Sequence, residues 1–173
     1  MTFYHKNIRL PAANYQGQRW YFVTLCCAAR RPLFTNTARV YPVIEELRQQ
    51  ATAHQFDVHA FCVMPDHLHA LVRGHQATSD LLALMKTLKQ KTVYDFQRKF
   101  RRSLWQKKFH NHILRPNESP EGVAAYIWMN PVRKGLCKDA REYPYSGSFA
   151  FAWRNVAPPA ESWVPSWKSD GPA

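Results

Sequence analysis

An α+β chain with an antiparallel sheet in split βαβ order is the fold that the sequence predicts. Three observations carry it: apolar runs of strand character at residues 20–27, 56–63, 68–73 and 109–115, two stretches of helical period between them, and a capped helix after the last run. Residues 20–27 are dense in aromatic and branched side chains and read as a central strand. Residues 35–55 place Val40, Val43, Ile44 and Leu47 at helical steps with charge between them, and Asn36 or Thr37 can cap the start. Residues 56–63 and 68–73 make two strands around Met64, Pro65 and Asp66, where the proline interrupts the ladder and marks a hairpin connection. Ser79 or Asp80 caps the next helix, whose Leu81, Leu84, Met85, Leu88 and Val93 recur at three- and four-residue steps towards Phe96 and Phe100. After the fourth strand, Ser119, Pro120 and Glu121 supply a cap, a proline in the first turn and an acid, opening a helix that carries Tyr126 and Asn130. Strand, helix, strand, strand, helix, strand is the ferredoxin-like pattern, here with an added C-terminal helix. Residues 1–18 read as an arm, residues 1–150 as one domain, and residues 151–173 as an irregular tail free to cover the open sheet face.

The chain has 173 residues, enough for one ordinary core. Lys+Arg 24 against Asp+Glu 12 leaves a formal net charge of +12, which favours a polyanionic partner, nucleic acid first, over a small metabolite. No C-x-x-C pair occurs among Cys26, Cys27, Cys62 and Cys137, so a zinc knuckle is not expected and buried, reduced thiols are. With no signal-like opening and no apolar run of about 18 residues, a cytoplasmic protein without a membrane partner is expected. Between positions 86 and 108 the single acid Asp95 meets Lys86, Lys89, Lys91, Arg98, Lys99, Arg101, Arg102, Lys107 and Lys108. A solvated face would interleave signs, so Lys86, Lys89, Arg98, Lys99, Arg101 and Arg102 are expected to meet phosphate. Lys6 and Arg9 in the arm could reach DNA as well.

His67 and His69 flank Leu68 in a strand and therefore project from one face, which is half of a metal site. Asn130 can add a neutral oxygen ligand. Tyr126 stands one helical turn before it, so a placement that brings Asn130 to an ion brings a phenol alongside. Pro131 puts Asn130 in the last turn or at its edge. A phenol of ordinary pKa near 10 is a poor nucleophile, and it needs a polarised phosphate and cationic surroundings. His110 and His112 form a second alternate pair around Asn111, and His112 lines the site if its strand neighbours the first; His59 and His75 read as structural or exposed.

Four segments in order resemble a known family: Val63-Met-Pro-Asp-His-Leu-His69; Leu104-Trp-Gln106 leading to His112-Ile-Leu-Arg115; Tyr126-Ile-Trp-Met-Asn-Pro-Val-Arg-Lys-Gly-Leu136; and Tyr143-Pro-Tyr-Ser146. Over about residues 18 to 150 they resemble the HUH-type single-tyrosine transposases, and among these the REP-associated tyrosine transposases. The resemblance implies cutting and rejoining of single-stranded DNA near hairpin repeats, without ATP. It implies His67, His69 and Asn130 as ligands of magnesium or manganese, Tyr126 as the nucleophile of a 5′-phosphotyrosine intermediate, and a monomer rather than a dimer. Asn130 stands where insertion-sequence relatives often carry glutamine, and Tyr143 where the pattern usually has tryptophan, a change expected to affect packing. Two other readings stay open on the residues alone: a non-catalytic nucleic-acid-binding module, and a metal-dependent nuclease that uses water.

Overall fold

The computed structural model describes residues 10–156 and 164–169. Strand β1 (Trp20–Cys26) is followed by helix α1 (Thr37–Ala53), strands β2 (Phe56–Met64) and β3 (His67–Gly74), helix α2 (Leu81–Phe100) and strand β4 (His110–Ile113). Helices α3 (Pro120–Trp128) and α4 (Asn130–Arg133), the two-residue strand β5 (Ser146–Gly147) and the short helix α5 (Ser166–Ser169) complete the order. The sheet runs β4-β1-β3-β2-β5, each neighbour antiparallel, which is the ferredoxin-like order with β5 added at one edge.

The caps read from the sequence are in place. The side chains of Asn36, Asp80 and Ser119 accept from the backbone amides of Arg39, Ala83 and Gly122, each satisfying a donor that its helix leaves orphaned. Helix α1 runs through Pro42, which removes one helical hydrogen bond without ending the element. Strand β4 is shorter than residues 109–115, because Arg115 turns into the next cap: its amide donates to Glu118 and its carbonyl accepts from the Glu118 amide.

Period-two alternation divides the sheet into two faces. Tyr21, Val23, Leu25, Val63, Leu68, Ala70 and Val72 pack under α1 and α2, against Val43, Leu47, Leu84 and Leu88. Phe22, Ala60, Cys62, Met64 and Leu71 face the other way and pack with Val123, Ala124, Ile127 and Trp128 of α3. A bulge between Val58 and Ala60 moves the two residues to opposite faces, so β2 serves both cores. Gly74 lies where an added Cβ would collide with the Gly17 carbonyl and the Ser79 side chain, so the end of β3 requires glycine.

Candidate active site on the helix α3 face of the sheet

His67 and His69 lie on the sheet face that α3 covers, 8% and 5% exposed, with ring centroids 4.4 Å apart. Register explains their surroundings: His69 pairs across the ladder with Thr24 on β1 and Cys62 on β2, and His67 with Cys26 and Met64. Each Nδ1 is taken by a neighbour. The Thr24 hydroxyl is 2.8 Å from His69 Nδ1, and the Asp66 carboxylate is 2.6 Å from His67 Nδ1. Such contacts fix the ring and leave Nε2 as the remaining nitrogen that could take a ligand. Burial, and then the charges of His67, Lys168, Arg133 and Arg30, holds His69 well below 6.5. Burial also lowers His67, against the raising effect of Asp66. Both imidazoles are therefore neutral near pH 7, the state in which they can donate to a metal.

Asp66 is itself held. Arg30 lies 3.6 Å from its carboxylate and also donates to Cys26 Sγ, while the Cys27 and Phe34 amides donate to the carbonyls of Asp66 and Pro65. Arg30 and Ala29 both adopt left-handed backbone, with φ of 55° and 54°. Non-glycine residues in that region are strained, and here the strain accompanies the turn that directs Arg30 back to the hairpin. Cys27 and Cys62 are free thiols that burial pushes up to about 12, so they are inert packing groups.

Tyr126 sits on α3, partly buried, and Asn130 is 6% exposed at the start of α4. One continuous helix does not carry both: α3 ends at Trp128, and Pro131, which lacks an amide hydrogen, forces a new turn. Arg133 joins the two pieces. Its guanidinium lies 4.0 Å above the Tyr126 ring and donates to the Tyr126 carbonyl at 2.7 Å. Its charge also bears on Cys62 and His69, which places a cation between the tyrosine helix and the histidine strand. Two neutral imidazoles, each with Nδ1 engaged and Nε2 left for a ligand, and the Asn130 amide could hold a divalent ion. No group of three His, Cys, Asp or Glu side chains does so among the described residues, so the Asn130 amide and phosphate or water oxygens would complete the set.

The sequence pattern of the family described as "Transposase IS200 like" matches residues 16–130, which is most of the chain and includes both histidines, Tyr126 and Asn130. The chain belongs to the IS200-like transposase family. The REP-associated tyrosine transposase of Escherichia coli (strain K12) is 23% identical over 133 residues, covering 76% of each chain. A solved structure of a REP-associated tyrosine transposase bound to a REP hairpin superposes with a TM-score of 0.67 at 21% identity, covering 96% of this chain and 93% of that one, and it supports the fold.

Other predicted residues of this transposase-family chain lie elsewhere. Lys86, Arg98, Lys99, Arg101 and Arg102 belong to α2 or its C-terminal end, and α2 packs on the face opposite the histidines. Lys89 donates through Nζ to the carbonyls of Gln106 and Lys107, 2.7 Å each, and so supports the loop before β4. Lys6 and Arg9 lie outside the described residues. His112 faces Phe22 across β1–β4, accepts the Trp167 ring in a stack at 3.8 Å, and has Nε2 2.7 Å from Glu118. Trp167 and Lys168 of α5 both contact Phe22, which in turn lies 5.1 Å from His69. His59 packs on the Trp20 ring and His75 pairs with Asp57. Tyr143 packs in the α3-side core and donates to the Val63 carbonyl at 2.9 Å. No helix among the described residues is long and apolar enough to cross a membrane.

Thr24, Asp66, Arg30 and Arg133 are residues of the candidate site that the sequence alone does not single out. Asp66 carries the one available signal, since a carboxylate beside a candidate metal-binding histidine is a common orienting partner. Thr24 becomes visible only through the strand register.

Proposed function

We propose that this chain cuts and rejoins single-stranded DNA beside hairpin repeats, with Tyr126 as the nucleophile. The observation that carries the reading is the pair of neutral imidazoles, oriented through Nδ1 by Thr24 and Asp66, on the sheet face covered by the helix of Tyr126. The Escherichia coli relative's name and the hairpin in the related structure supply the substrate class.

His67, His69 and Asn130 would hold magnesium or manganese. A bound divalent ion would polarise the scissile phosphate as a Lewis acid. Arg133, Arg30 and Lys168 supply further positive charge around the site and favour the approach of a phosphodiester. Tyr126 Oη attacks phosphorus, the new bond is a 5′-phosphotyrosine, the bond to the 3′ oxygen breaks, and the phenolic proton is delivered by way of solvent to that leaving oxygen. Because the ester bond is conserved, a later 3′-hydroxyl can attack it, expel Tyr126 and rejoin the strands. The basic residues of α2 would take phosphates of DNA that extends around the opposite face, and the chain would act as a monomer.

Incubating the protein with a single-stranded hairpin oligonucleotide and manganese or magnesium is expected to give a covalent adduct, visible as a shifted band and a mass increment on the peptide holding Tyr126. The adduct is expected to vanish in Tyr126→Phe and after chelation. Cleavage without an adduct that persists in Tyr126→Phe would instead establish a water-using nuclease. Binding with neither would establish a non-catalytic module.

A further inference from the structure

We propose that the single strand leaving the scissile phosphate runs along the outer edge of β4, which pairs with no further strand among the described residues, in a groove bordered by Lys107, Lys108 and Arg115. The inference rests on the strand-cleavage reading above and names the path of its substrate. Strand β4 ends the sheet order, and along it lies an open cleft of about 740 Å³ whose walls include Leu10, Lys107, Lys108, His110, Asn111 and Arg115. The two lysines and the arginine are exposed and form no ion pair among the described residues. The nearby acid is Glu118, whose carboxylate is engaged by the Arg115 amide and by His112.

The register connects this groove to the histidine pair. Thr24 pairs with His69 on one side and with His110 on the other, so His69, Thr24 and His110 form one row across β3, β1 and β4 on the same face. Two strand spacings, about 10 Å, separate the site from the groove. Of this row His69 and Thr24 are buried and His110 is exposed, so the row opens to solvent at the cleft. Three fixed cations, with His110 and Asn111 able to bond base edges, make the mixed polar channel that tracks a single strand. Lysines beside an edge strand also discourage unwanted strand pairing. That role needs no cleft and no alignment with the site. The larger group of cations on α2 belongs to the opposite face of the sheet, apart from Lys89, whose ammonium holds the Gln106 and Lys107 carbonyls at the groove.

The test compares the wild-type chain with Lys107→Ala/Lys108→Ala/Arg115→Ala, after circular dichroism confirms equal folding. Two oligonucleotides are used: a blunt hairpin, and the same hairpin with a single-stranded flank. The variant is expected to bind the flanked hairpin about tenfold or more weakly, and its slope of log affinity against log salt is expected to be shallower by about 2, near 0.7 for each single-strand phosphate no longer neutralised. Binding of the blunt hairpin is expected to change little. A photoreactive base in the flank is expected to crosslink within residues 107–115. Equal losses for both oligonucleotides, an unchanged slope, or crosslinks confined to residues 86–102 would overturn the path. Covalent adduct formation by the wild-type chain is scored in the same reactions, so failure of the cleavage reading shows separately as an absent adduct.

Discussion

Thr24 and Asp66 decide which nitrogen each histidine offers, and this choice makes the pair useful. Thr24→Val and Asp66→Asn are each expected to weaken manganese binding by about 10–100-fold, measured by calorimetry, while leaving the secondary structure intact. Protons compete for the same atoms. Because both imidazoles are depressed in the folded chain, the stability they contribute is present above 6.5, their unfolded value, and is lost as pH falls through the lower folded values. The melting temperature of the metal-free protein is therefore expected to be flat from about pH 8 to 7 and to drop below about 6.5. His69→Gln is expected to flatten that drop. Of this site, His67 and His69 were legible because alternation on a strand is a short-range rule. Thr24 was not, since it lies 45 residues from His69 and meets it only through register.

Elements with a sustained period or a cap were legible, and those too short to show either were not. Asn36, Asp80 and Ser119 marked three helix starts, whereas β5, with two residues, and α5, with four, carry no periodicity. The break between α3 and α4 had its signal in Pro131, and it leaves Arg133 to bind Tyr126 to the second piece. The Leu104 to Gln106 segment is explained by packing: the Ala28 amide donates to the Leu104 carbonyl, the Gln106 amide donates to the Cys26 carbonyl, and the Trp105 indole donates to Thr92 on α2 at 2.8 Å. It ties the end of β1 to the helix below. At the other end of the sheet, Gly74→Ala is expected to cost about 1–3 kcal/mol in chemical denaturation, since the Gly17 carbonyl must move to admit a methyl group.

At the scale of the molecule, the sheet separates two basic surfaces, one around the histidine pair and one on α2, and the β4 groove lies at the edge between them, lined by His110 and His112 from one face and by Tyr15, Phe109 and Ile113 from the other. Net charge alone could not assign them, because a stretch of sequence does not state which face its helix will bury. Arg101→Ala/Arg102→Ala is expected to weaken hairpin binding and to flatten its salt slope by about 1.8, near 0.9 for each duplex phosphate that the arginines neutralise. An unchanged slope in titrations at several salt concentrations would return these arginines to the role of solvated surface. The two-residue turn at Pro65 and Asp66, fastened through its carbonyls by the amides of Cys27 and Phe34, has a thermodynamic consequence. A zinc finger gains its shape when it gains its metal, and the cost of ordering the chain falls on that event. Here the turn is held by backbone hydrogen bonds that need no ion. Ion capture should then bury little new surface and carry a small heat-capacity change, and it should stabilise the fold only by mass action.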